Sequence, residues 1–242
     1  MKTVFILLIN LILTTAYTQS LEGAWQLTQR NGEPVSDYEV IAIYQDDYFA
    51  FGAKESKSNA FLNAAGGTYK LSGNTYTEIR DFDTQTPERI GKTISFSAEL
   101  IEEYLTLTDD VSRTIWKRIS SSRDSLTHNW VITGRMRDGG VSHNTPGDRR
   151  TIKILSGERF QWVAFNSVTK TFNGTGGGIY TAINGIYTEN ITFFSRDANR
   201  VGASLKFEFE VKDGAWHHKG KSSKGDPIYE IWSVYKEAFQ KE

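Results

Sequence analysis

The chain has no cysteine among its 242 residues and only four prolines. Without thiols it can form neither a disulfide framework nor a cysteine-centred active site, and it carries no lipid on cysteine. It also lacks a dominant charge. Its 28 Lys and Arg stand against 29 Asp and Glu, for a net charge of −1. That balance argues against nucleic acid as a partner, since such proteins need a basic face to neutralise phosphates. Long apolar runs are confined to the N-terminus. Residues 4–13 are apolar except for Asn10; Lys2 precedes them and Thr14-Thr15-Ala16-Tyr17-Thr18 follows. The run is shorter than the roughly 20 residues a spanning helix needs. A positive start, an apolar core and small residues together read as a secretory signal, cut within residues 16–19. An exported chain is therefore expected, periplasmic or extracellular, with residues 1–18 removed. No later stretch is long and apolar enough for a stable membrane span. With no disulfides, stability has to come from the core.

Helical periodicity is also absent, and short alternating runs separated by turn residues take its place. In the first half, Glu39-Val40-Ile41-Ala42-Ile43-Tyr44 and Tyr48-Phe49-Ala50-Phe51 flank the turn Asp46-Asp47. Ile94, Phe96 and Ala98 then share one face of a strand. In the second half, Leu205, Phe207, Phe209 and Val211 are expected to face inward, with Lys206, Glu208 and Glu210 in water. Asp213-Gly214 turns that strand into Ala215-Trp216-His217-His218. Residues 136–150, with Gly139-Gly140 and Pro146-Gly147, read as a long loop. A loose tail is expected at 238–242.

The strands form one module written twice. Ala65-Gly66-Gly67-Thr68-Tyr69 is followed by Tyr76-Thr77-Glu78, and Gly176-Gly177-Gly178-Ile179-Tyr180 by Tyr187-Thr188-Glu189. Gly66 to Gly177 is 111 positions, and Phe49 to Phe160, Glu78 to Glu189, Arg89 to Arg200 and Phe96 to Phe207 keep that offset. Trp25 to Trp130 is 105 and Trp116 to Trp232 is 116, so the extra length falls in loops. Each copy has about eight strands and no crossover helix. Such a sheet tends to curl into an antiparallel barrel, which removes its edges. The fold class is thus all-β: two tandem eight-stranded antiparallel barrels at 19–119 and 126–237, joined by the polar segment 120–125.

Gly23-Ala24-Trp25 on the first strand resembles the Gly-x-Trp opening of the lipocalin and calycin group. The resemblance implies that the Trp closes one barrel end under a basic residue from the last strand, here Arg118. In the second copy Asn129 replaces the glycine before Trp130, and Lys236 is the basic candidate. Thr175-Gly176-Gly177-Gly178, Tyr187-Thr188-Glu189-Asn190 and Lys224-Gly225-Asp226-Pro227-Ile228-Tyr229-Glu230 resemble uncharacterised secreted lipocalin-like proteins of Bacteroidetes-type bacteria. That likeness implies a location and a fold, with no activity attached.

Little in the sequence carries chemistry. Gly91-Lys92-Thr93 and Gly220-Lys221-Ser222 lack the earlier glycine of a phosphate loop, having Thr86 and Ala215 there. The glycine runs read instead as bulges that let a strand coil. His217 and His218 point to opposite faces of a strand and cannot easily share a metal. No catalytic residue and no cofactor are expected. Glu78 and Glu189 stand out, because a carboxylate aimed inward needs a partner. Arg89 and Arg200, each 11 residues later, are the candidates. The leading expectation is a non-catalytic binding protein for a small, mainly apolar molecule or a glycan. The richer aromatic content and longer mouth loops of the second barrel favour it as the site. Its candidate pocket residues are Trp162, Tyr180, Tyr187 and Glu189 on one side, with Arg200, Phe207, Phe209 and Trp216 on the other. The alternatives are a barrel-pocket enzyme using Glu189 and Arg200, or an interaction module with both barrels filled.

Overall fold

The structure is a computed structural model that describes residues 20–137, 139–221 and 225–238. The expected signal and the end of the tail fall outside these. The first barrel comprises β1 (Gly23–Arg30), β2 (Glu33–Pro34), β3 (Tyr38–Gln45), β4 (Tyr48–Glu55), β5 (Phe61–Ser72), β6 (Thr75–Asp83), β7 (Thr93–Ile101), β8 (Tyr104–Thr108) and β9 (Arg113–Ser120). Each long strand runs antiparallel to the next, and β9 returns to pair with β1, so the sheet closes. The two-residue β2 folds back on the end of β1 and leaves eight staves. The second barrel repeats the plan with β10 (Asn129–Arg137), β11 (Gly140–His143), β12 (Arg149–Ser156), β13 (Arg159–Asn166), β14 (Thr171–Ile183), β15 (Ile186–Phe194), β16 (Ser204–Lys212), β17 (Ala215–Lys221) and β18 (Pro227–Val234). It closes through β10 and β18.

The expected loop at 136–150 is partly a ribbon. β10 continues to Arg137 and pairs back with β11, turned by Gly139 at φ +80°. Val211 is 41% exposed instead of inward, because it lies near the tip of the β16–β17 hairpin. After β18, Tyr235–Ala238 forms one helical turn.

The glycine runs are bulges, as their pattern indicated. The β5–β6 register shifts between Gly66 and Gly67, and the β14–β15 register between Gly177 and Gly178. A Cβ on Gly67 would lie 1.9 Å from the Ile79 carbonyl oxygen, and one on Gly178 1.9 Å from that of Asn190. Only glycine lets the strands approach this closely, and the resulting bend helps the sheet close.

One end of each barrel is stoppered by tryptophan. Trp25 Nε1 donates to the Leu21 carbonyl and Trp130 Nε1 to that of Leu126, both at 2.8 Å. The Arg118 guanidinium lies 4.3 Å from the centre of the Trp25 ring and donates to the carbonyls of Glu22 and Ser20. Lys236 does not copy it; it reaches Asp47 of the first barrel. The edge of His128 contacts Trp130 instead.

The barrels meet through equivalent faces. Gln45 and Ser156, 111 positions apart, hydrogen-bond to each other at 2.9 Å. Phe61 stacks on Phe172, its counterpart, with centroids 6.1 Å apart. Asp46 accepts from the Asn129 N–H, while Gly157 lies against Ala24; these contacts are also related by the repeat. Between them lies an apolar cluster that includes Ile43, Ile154, Phe82 and Phe165. The contact is a near two-fold one within a single chain. Residues 120–125 are not a loose tether. Asp124 accepts from the Leu126 N–H and from Tyr180 of the second barrel.

Candidate functional site

The first barrel holds a cavity of about 800 Å³. It opens at the end away from Trp25, where Arg30 finishes β1. One part of its wall is aromatic and aliphatic, formed by Tyr44, Phe49, Phe51, Phe96, Leu107 and Trp116, with Ala42 and Ala53 leaving room between them; the other part is polar and includes Arg30, Asn63, Asp109 and Thr114. The loop after β6, Thr84 to Arg89, contributes to the rim. This volume lies in the range of small-molecule sites, and the lining divides about equally between apolar and polar side chains.

One polar cluster interrupts that wall. Glu78 is 4% exposed and Asp83 4%. Arg80, also on β6, bridges them. Its Nε and Nη2 lie 2.7 and 2.6 Å from Glu78 Oε1, and its Nη1 lies 2.5 Å from Asp83 Oδ2. The Tyr76 hydroxyl donates to Glu78 Oε2 at 3.1 Å. The other Asp83 oxygen accepts from the Gln85 and Thr86 N–H groups, which ties the rim loop to the wall. Burial pushes the Glu78 carboxyl above its ordinary value, with Arg80 opposing. On the rim, burial acts against it but the N–H groups of Val111 and Ser112 hold Asp109 below its ordinary value.

The partners expected from sequence are therefore corrected. Glu78 pairs with Arg80, not Arg89. Glu189 pairs with Lys153 at 2.7 Å, both nearly buried, while Arg200 lies nearer the surface, 3.8 Å from Asp197. Period two alone places Arg80 on the face of Glu78. That signal was available in the sequence. Lys153 comes from a strand not adjacent to β15, which local pattern does not reveal.

In the second barrel the corresponding space is occupied by side chains. Tyr187 is fully buried, with Phe207, Trp216 and His218 around it at centroid distances of 5.1–6.1 Å. Tyr180 leans on Tyr187, Trp162 packs on Phe194, and Phe209 borders the same core. Phe165 turns outward to the other barrel. The 111-residue offset explains the difference. Lys153, Trp216 and His218 stand where the first copy has Ala42, Leu105 and Leu107. Burial lowers the His218 pKa, with its Glu230 contact opposing. Burial would raise Glu230, but the His218 bond and the Lys153 charge hold it below its ordinary value. All the expected site residues but Arg200 thus belong to or border a packed core around the Lys153–Glu189 pair, and the cavity of about 800 Å³ lies in the other copy.

Among the described residues no group of three or more His, Asp or Glu is placed to hold a metal ion. No helix among them is long and apolar enough to cross a membrane. No family model matches the chain and no curated protein matches it. An uncharacterised Saccharomyces cerevisiae protein, YLR301w, superposes over 86% of this chain and 96% of its own, with TM-score 0.47 and 13% identity. A tryptophan-to-alanine mutant of the vaccine antigen transferrin binding protein B from Haemophilus parasuis covers 85% of this chain and 63% of its own, with TM-score 0.25 and 8% identity. Both superpositions are too loose to lend this chain a function.

Proposed function

We propose that the protein is an exported, lipocalin-like binding protein whose ligand occupies the first barrel. The observation that carries this reading is the cavity of about 800 Å³ with an aromatic and aliphatic stretch of wall, one buried polar cluster and an open polar rim. Ala42 and Ala53 make the space, and Trp116 on its wall provides an optical reporter. The N-terminal signal pattern supports export. The second barrel serves as a packed support that holds the first through their common face.

Native mass spectrometry of protein purified from its own host tests the reading. A small molecule that remains bound to the parent is expected. Ala53→Trp, which fills the cavity from an inward position, should fold and lose that molecule. A parent that carries nothing and quenches Trp116 with no apolar probe would end the proposal.

A further inference from the structure

The two copies share a carboxylate and differ in what neutralises it. In the second barrel the Lys153 ammonium lies 2.7 Å from Glu189. It is also 5.3–6.0 Å from the ring centres of Phe160, Tyr187, Trp216 and Trp232. The negative faces of such rings attract a cation and offset part of the cost of burying it. In the first barrel the carboxylate remains as Glu78, and three of the four rings remain as Phe49, Tyr76 and Trp116. The lysine does not remain; Ala42 stands in its place and opens onto the cavity.

Arg80 replaces only part of what is lost. Glu78 and Asp83 together carry −2 and Arg80 +1, so the buried cluster is left at −1. Arg80 is already committed to both carboxylates. Glu78 Oε2 accepts one bond, from Tyr76, and has capacity for another. Arg89 also favours the Glu78 carboxylate, but it and Arg30 are exposed on the rim, where water weakens their charge. An uncompensated buried negative charge is costly, and a cation entering the cavity offsets that cost.

We infer that the first barrel takes an organic amine, an apolar body bearing one ammonium group, with that group against Glu78 where Lys153 meets Glu189 in the second copy. This rests on the cavity being a binding site. An acid of the same shape would face two carboxylates with no free cation among the buried groups. An alcohol would gain a hydrogen bond but no charge.

Calorimetric titration with three probes of one skeleton, 2-(1-naphthyl)ethylamine, 2-(1-naphthyl)ethanol and 1-naphthylacetate, tests the inference at neutral pH. The amine should bind on the order of tenfold or more tighter than the alcohol, the worth of a charge-assisted bond, with the acid weakest. Glu78→Gln should erase the preference, so that amine and alcohol bind that variant with equal affinity. Ala42→Lys, which rebuilds the second barrel's arrangement, should abolish amine binding. Equal binding of amine and alcohol, tighter binding of the acid, or a preference that survives Glu78→Gln would overturn the amine assignment alone. Failure of all three probes to bind would overturn the cavity reading with it.

Discussion

Lys153→Met tests whether the second barrel is organised around its buried ion pair. Lys153 Nζ and Glu189 Oε1 are 2.7 Å apart, and both side chains are 6% exposed. At that distance their attraction is roughly 6 kcal/mol with an effective dielectric of 20. The desolvation of two ions consumes several kcal/mol for each, so the intact pair contributes little net stability. Removing one partner is different, because Glu189 then stays buried without its cation. Methionine keeps most of the lysine stem, so lost packing is small. We expect Lys153→Met to cost about 3–5 kcal/mol. Glu189→Leu alone should cost a similar amount. The double variant, with no buried charge at that pair, should return to within about 1 kcal/mol of the parent or exceed it. Urea unfolding followed by tryptophan fluorescence reads all four proteins. Single-variant losses below about 1 kcal/mol, or a double variant whose losses add, would refute the reasoning.

Gly67→Ala should destabilise by more than about 1–3 kcal/mol, the usual cost of overpacking, because its Cβ meets the Ile79 carbonyl oxygen at 1.9 Å; chemical denaturation checks this. Asp81→Ala should cost about 2–3 kcal/mol, since one Asp81 oxygen serves Tyr48, Tyr235 and the largely buried Arg150 across the barrel contact. It should also split one unfolding transition into two in calorimetry. The two buried or partly buried histidines should act oppositely with pH. The Asp46 bond raises His128, so its contribution is full below the ordinary histidine value and is lost as pH rises through the raised value. Burial lowers His218, so stability is lost as pH falls below about 6.5, where the unfolded chain binds the proton and the folded chain does not. Stability–pH curves of His128→Asn and His218→Gln should lose these opposite slopes.

The strands and the closure into barrels were legible because alternation, turn residues and the 111-residue echo are local or repeated signals. The bulges were legible for the same reason, since glycine runs stand at equal places in both copies. The sequence pointed to the second barrel as the ligand site, whereas the cavity of about 800 Å³ lies in the first. Aromatic richness in the second copy meant a filled interior, because rings such as Tyr187 and Trp216 pack against one another. The deciding contrast was Ala42 against Lys153, and Leu105 and Leu107 against Trp216 and His218. Those contrasts acquire meaning only once the inward face of each strand is known. The partners of the two glutamates failed for a related reason. Equal spacing of Arg89 and Arg200 reflects descent from one module, while pairing depends on which side chains cross the barrel.

The contact between Gln45 and Ser156, and between Phe61 and Phe172, makes the joining face nearly self-complementary. Such a face fits its counterpart on any copy of the chain. The short connection at 120–125 keeps the partner within reach, at an effective concentration that separate molecules meet only when crowded. Two chains brought to that concentration during refolding can satisfy the same contacts by exchanging barrels. An exchanged dimer would therefore be governed by the length of that connection. Shortening it would favour exchange while leaving each barrel's interior unchanged.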